Sequence, residues 1–363
     1  MTPIKVLVVD DSVFMRQAIS KIISCDQIRV IDTAKNGREG VDKVIALNPD
    51  VVTMDIEMPE MTGLDALKEI MNTHPVPVIM VSTLTSEGAN ATIEALSNGA
   101  VDFITKKSAF REMDSIKDEL VNKIKTIGFN NSLKRLLIRN RFIKNKSVIN
   151  QLNGEPATVT SPLILKKKKP RPKPGAIKLV SIGISTGGPN SLNELIRSLP
   201  ENFRTPVLIA QHMPAFFTKS LAERLNSITN ITIKEAEQDE QILPATIYIA
   251  QGGKHLSAKK NFRLQISEQP PNLLYKPSVD VLMDSVADVY GSHVLGIIMT
   301  GMGHDGTEGI RTLQSAGGYA IAQDPDSCVI SGMPKSIIDA GLADEIVTLS
   351  NLGKTISEIC RQN

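Results

Sequence analysis

Carboxylates, a hydroxyl and a lysine recur at one kind of place in the first third of the sequence, just after short apolar runs. Val6–Val9 precedes Asp10 and Asp11, Val51–Met54 precedes Asp55, Val76–Val81 precedes Ser82, and Val101–Ile104 precedes Lys106. Three clustered carboxylates repel one another and raise each other's pKa. A hard divalent cation with oxygen ligands removes that penalty, which suits Mg²⁺. A Lys adds compact positive charge, and a hydroxyl can donate to a phosphoryl oxygen. Such a set equips Asp55 to accept a phosphoryl group as an acyl phosphate. Any one of these acids alone reads as a loop opener or helix cap. Five such residues at successive run ends do not.

A second chemical set lies beyond Ile177. KLVSIGIS leads into GISTGGP, which fits the G-x-S-x-G nucleophile elbow around Ser185. By pattern alone the string reads equally well as a glycine-rich phosphate loop, since it follows a strand and opens a helix. It matches neither the Rossmann G-x-G-x-x-G spacing nor a Walker Lys. PVLIAQ ends at His212, and HVLGIIMTGMGHDG ends in a Gly-rich turn holding Asp305. A serine needs a base to attack at neutral pH, and an imidazole needs a carboxylate to hold its tautomer. The chain order Ser, His, Asp is no objection, because a triad is a matter of geometry. His74, His255, His293 and His304 are read as surface or structural. No HExxH spacing supports a zinc site on His212, His304 and Asp305.

The elements that must position these groups alternate. Short apolar runs are followed by stretches with helical spacing, as in Phe14, Ala18, Ile19, Ile22 and Ile23. Alternating strand and helix predicts parallel sheets covered on both faces, with all strand C-termini on one edge. The fold class is therefore α/β, with two doubly wound parallel-sheet domains. Residues 1–127 and 177–363 form the two bodies, and 128–176 joins them.

Composition bounds the function. The chain has 363 residues, enough for two or three domains. Aromatics are 4% and Trp is absent, which argues against a stacking surface for single-stranded nucleic acid. Cys25, Cys328 and Cys360 form no CxxC, which excludes a disulfide framework and a thiolate zinc site. Asp10 and Asp11 sit where a signal peptide needs an apolar core, and no run approaches a membrane span, so a cytoplasmic protein with no membrane insertion is expected. Net charge is +2 overall but −5 over 1–127, +11 over 128–176 and −4 over 177–363. The basic segment contains KKKKPRPKPG and reads as an extended linker. It is the sole support for a nucleic-acid-binding output, and none is expected, because 177–363 is acidic and lacks a helix-turn-helix pattern.

VLVVDDS, VVTMDIEMPEMTGLDAL, VIMVSTLT and DFITKK resemble, in order, the motifs of receiver domains of two-component signalling. The resemblance implies a flavodoxin-like fold phosphorylated on Asp55 by a histidine kinase. Asp10, Asp11, Asp55 and the backbone carbonyl of Glu57 would bind Mg²⁺. Ser82 and Lys106 would sense the phosphoryl group, with Phe103 as the aromatic switch. Lys107 stands where this family usually has Pro. GISTGGP, QHMPAFFTKSLAERL, KPSVDVLMDSVA, MTGMGHDG and ISGMP resemble chemotaxis protein-glutamate methylesterases, the CheB family, over about residues 177–350. That likeness implies a Rossmann-like esterase with Ser185 as nucleophile, His212 as general base, Asp305 as orienting acid and the Met302 amide in the oxyanion hole. Its substrates would be γ-glutamyl methyl esters and certain glutamines of chemoreceptors, and the esterase reaction would need no cofactor. Ile184 replaces a usual small residue and is expected to narrow the elbow. Two competing classes remain: a response regulator with nucleic-acid output, and a nucleotide-binding module built on GISTGGP. The unphosphorylated receiver is expected to dock over the cleft holding Ser185.

Overall fold

Strands buried on both faces need apolar side chains at every position, and the runs noted above supply them. The computed structural model describes residues 2–106, 110–130 and 169–361. Lys107 and most of 128–176, including Lys166–Lys168, lie outside these residues.

In the first body, β1 (Ile4–Val9), β2 (Ile28–Ala34), β3 (Val51–Asp55), β4 (Val78–Ser82) and β5 (Asp102–Thr105) pair in the order β2-β1-β3-β4-β5. All pairs are parallel. The covering helices are α1 (Val13–Ile23), α2 (Gly37–Leu47), α3 (Gly63–Thr73), α4 (Ser86–Ser97) and α5 (Phe110–Gly128). Four of them start at side-chain caps: Ser12, Asn36, Thr62 and Thr85 each accept a backbone N–H two or three residues into the helix. The strand order reverses at β1 and β3, so Asp10, Asp11 and Asp55 leave the sheet at its switch point.

In the second body, β6 (Leu179–Ile184), β7 (Val207–Gln211), β8 (Thr232–Glu235), β9 (Thr246–Ile249), β12 (Val294–Ile298), β13 (Tyr319–Gln323) and β14 (Glu345–Val347) form one parallel sheet. Its order is β14-β13-β12-β6-β7-β9-β8. β10 (His255–Ala258) and β11 (Leu264–Ser267) form a separate antiparallel hairpin. The helices are α6 (Gly188–Ser198), α7 (Phe217–Asn226), α8 (Val279–Tyr290), α9 (Thr307–Ser315), α10 (Gly332–Asp339) and α11 (Leu349–Cys360). The switch point falls between β6 and β12.

The two bodies pack together. Phe103 of β5 stacks on Phe217 of α7, with ring centroids 4.6 Å apart. The Asp102 carboxylate accepts a 2.8 Å hydrogen bond from Thr186 Oγ1, and Asn130 Nδ2 donates to Val329 O at 2.8 Å. Met302 packs on the apolar cluster that holds Ile116 and Leu120 of α5. The described end of the basic segment lies on the second body. Arg171 pairs with Glu345 and Glu358, and Lys169 Nζ donates to the carbonyl of Gly318 at 2.9 Å.

Candidate active site

Ser185 follows β6, His212 follows β7, and Asp305 sits in the loop between β12 and α9. Ile184 and Gln211 are register partners, so the serine and the histidine are the next residues out on adjacent strands. His212 N donates to Ile184 O at 3.0 Å, and Ser185 N donates to Thr300 O at 2.9 Å. Close approach of the β12 loop depends on Gly301: a Cβ there would lie 2.7 Å from Ser185 Cβ and 2.3 Å from Met333 Sδ. Ile184 is fully buried within the apolar core.

The imidazole and the carboxylate meet. His212 Nε2 lies 2.8 Å from Asp305 Oδ2, with both side chains over nine-tenths buried. His212 Nδ1 is buried and has no hydrogen-bond partner among the described residues. Ser185 Oγ likewise makes no hydrogen bond among them. Asp305 is held at the N-terminus of α8: Oδ2 also accepts Val279 N at 2.7 Å, and Oδ1 accepts Ser278 Oγ and Asp280 N, both at 3.1 Å. Burial works to raise the Asp305 carboxyl, but His212 and these N–H donors outweigh it and hold the pKa below the ordinary value. A helix N-terminus favours the anion further. Burial pushes the adjacent Asp280 the other way, although Gly306 N and Gly309 N donate to it.

At the receiver switch point, Asp10, Asp11 and Asp55 offer oxygens all within 4.8 Å of one another. Lys106 Nζ lies 2.6 Å from Asp55 Oδ2 and 3.1 Å from Asp10 Oδ2. The second contact is close but poorly directed, and Asp10 Oδ2 is left buried without a hydrogen bond. A hard cation among these oxygens satisfies that orphan, so the donor set fits a divalent metal. Asp11 and Glu57 line an open groove of about 510 Å³ beside it. Burial raises the Asp55 pKa to about 6, with Lys106 opposing and Asp10 adding to the rise. Ser82 is engaged with α4, donating to Gly88 O at 3.1 Å and accepting from Thr92 Oγ1 at 2.7 Å.

Residues 180–356 match the model of the CheB methylesterase family, and residues 6–117 match that of response regulator receiver domains. A protein-glutamate methylesterase/protein-glutamine glutaminase of Lawsonia intracellularis is 45% identical over 97% of this chain and 98% of its own length. One of the same name from Archaeoglobus fulgidus is 44% identical over 93% of this chain and 92% of its own. The chain belongs to the CheB methylesterase family. The solved CheB methylesterase catalytic domain of Thermotoga maritima is 42% identical, covers 50% of this chain and 98% of its own, and has a TM-score of 0.49.

In this CheB-family chain, several residues around the three singled out escaped the sequence reading. Tyr275 stacks on His212, with centroids 4.1 Å apart and planes 8° from parallel. Its hydroxyl pKa is raised by burial first and then by the charges of Asp305 and, across the interface, Glu119 of α5. His255, expected to be surface or structural, is buried; its Nδ1 accepts Ser278 N at 3.2 Å, next to the cradle of Asp305. Burial lowers its pKa, which suits a neutral structural ring. Ser278 before an apolar periodic run was legible as a helix cap. Nothing in the spacing says that the helix it caps holds a carboxylate more than two dozen residues away. His74, His293 and His304 are exposed or half-exposed, as expected. No helix among the described residues is long and apolar enough to cross a membrane.

Proposed function

We propose that this chain is a phosphorylation-controlled hydrolase of chemotaxis adaptation. It removes methyl groups from γ-glutamyl methyl esters of chemoreceptors and deamidates selected receptor glutamines. Ser185 is the nucleophile, His212 the general base and Asp305 its orienting acid. The His212 ring carries this reading: Nε2 is taken by Asp305, and Nδ1 is buried, unpaired and one strand from Ser185.

An ionised Asp305 can only accept, so the ring proton sits on Nε2 and the lone pair on Nδ1. Nδ1 takes the Ser185 proton as Oγ attacks the ester carbonyl. The tetrahedral oxyanion is met by backbone donors. Met302 N–H suits this role, since it makes no hydrogen bond among the described residues; one such donor is typically worth ~10²–10³ in rate. Nδ1–H then protonates the leaving oxygen and methanol departs, or ammonia from an amide. Water attacks the acyl-enzyme by the same route, releasing the carboxylate and restoring Ser185.

Asp55 accepts the phosphoryl group from a chemotaxis histidine kinase. Asp10, Asp11 and Asp55, with the Glu57 carbonyl, would hold Mg²⁺, which would offset the charge of the incoming group. Ser82 and Lys106 answer that group, and Phe103 carries the change to the esterase. Substrate and phosphodonor both place the chain in the cytoplasm. The test is methanol release from methylated receptor membranes, with and without acetyl phosphate and Mg²⁺. Ser185→Ala abolishes release while Asp55 still takes phosphate; wild-type turnover in that variant would end the reading.

A further inference from the structure

We infer that Gln211 is a positioning residue that sets the separation of nucleophile and base. The inference rests on the proposed Ser185–His212 pair. Gln211 is the last residue of β7 and only 1% exposed. Its Nε2 donates to two carbonyls, Ser185 O at 3.0 Å and His212 O at 3.1 Å. One amide therefore ties the backbone of the nucleophile to that of the base, across two adjacent strands.

Two further observations separate this from ordinary packing. The Gln211 Oε1 is buried and has no partner among the described residues. An apolar side chain of similar volume would avoid that cost. Gln323, at the matching end of β13, differs: its Oε1 accepts Thr300 N and its Nε2 donates to Ser327 O, so its amide is fully used. Gln211 keeps an unsatisfied acceptor in order to place two donors. The elbow is also shaped around the amide. A Cβ on Gly188 would lie 1.9 Å from Gln211 Oε1, so the third glycine of GISTGGP leaves room for this side chain. Gly188 N donates to Ser185 O at 2.8 Å, giving that carbonyl two donors and little freedom. Losing the amide frees Ser185 and His212 to drift apart. A misplacement of about 1 Å costs about 10²-fold in rate.

The test uses the full chain, with methanol release and labelling of Ser185 by a serine-reactive phosphonate, each per folded molecule from thermal melts. Gln211→Leu lowers kcat and the labelling rate together, by about 10- to 100-fold, with KM within about twofold of wild type. Kinetics per folded molecule within twofold of wild type, whatever the melting temperature, overturn the proposal. If Gln211→Leu does not fold, Gln211→Glu keeps the volume. A protonated Glu supplies a donor and an ionised one does not. The ratio of variant to wild-type labelling rate then falls as pH rises, which a merely structural role would not produce. A ratio within twofold of one across the pH range overturns the proposal. Labelling that persists in Ser185→Ala would instead remove the nucleophile assignment beneath it.

Discussion

Asp55 is held in an environment that disfavours its own charge. Its folded pKa, about 6, lies above the ordinary 3.8. The folded state therefore binds more protons between those values, and stability falls as pH rises through that window. At about 1.4 kcal/mol per unit, the penalty above pH 6 is on the order of 1–3 kcal/mol. Asp55→Asn is expected to melt higher than wild type above about pH 6 without metal, and level with it below about pH 4. Mg²⁺ should narrow the gap by raising the wild type. Coincident melts at every pH would show that burial imposes no such penalty. On the proposed triad, Asp305→Asn removes the anion that would fix the imidazole proton on Nε2. Activity should fall by several orders of magnitude, yet less completely than in Ser185→Ala, because the other transition-state contacts survive. Equal residual rates would count against an orienting role. Ser185, His212 and Asp305 were legible because each follows an apolar run, and strand periodicity places run ends at one edge. Tyr275 and Gln211 were not, and Ser278 was legible only as a helix cap. Their contacts come from ring stacking, a helix start and side-chain reach, none of which periodicity encodes.

At the scale of elements, β5 does two jobs within five residues. Asp102 and Phe103 touch the esterase, and Lys106, just past the strand, touches Asp55 and Asp10. The Lys123 ammonium braces the outer part of this unit, lying 3.1 Å from Asp102 and 5.7 Å from the Phe103 ring centroid. A change at Lys106 therefore has a short path to the residue after Ser185, four residues along the backbone and then the hydrogen bond from Thr186 to Asp102. Phe217→Leu keeps an apolar side chain but loses the ring pair, worth ~0.5–1.5 kcal/mol. Basal methanol release should rise about 2- to 10-fold, and acetyl phosphate should stimulate less. An unchanged stimulation ratio would put the coupling elsewhere. The central strands β1, β3, β4, β6, β7 and β12 were readable because they are buried on both faces and almost wholly apolar; β8, β9, β13 and β14 were not singled out, and β8 and β14 are only partly buried. The β10–β11 hairpin was not foreseen, since its four-residue strands show too little alternation.

At the scale of the whole chain, the receiver lies against Thr186 and Met302, next to Ser185 and in the β12 loop. Removing residues 1–127 should raise basal methanol release. A coupling of ~1–3 kcal/mol corresponds to about 5- to 150-fold. A truncated chain no faster than the unphosphorylated full-length one would mean that phosphorylation aligns the site or recruits the receptor instead. The described end of the joining segment rests on acidic side chains, Arg171 on Glu345 and Glu358. Arg171 and Glu358 are exposed and Glu345 is half-buried, so Arg171→Ser should cost about 1 kcal/mol in a thermal melt. The Tyr275 ring has an optical consequence. The chain has four tyrosines and no tryptophan, so its near-ultraviolet emission comes from phenols alone. One of the four rests face to face on the His212 imidazole and senses charges of α5. An imidazole in contact drains the excited state of a phenol, more so when protonated. The unmodified protein thus carries its own reporter: emission should shift when acetyl phosphate is added, and the shift should vanish in Tyr275→Phe. A shift that survives that substitution would assign the signal to Tyr248, Tyr290 or Tyr319.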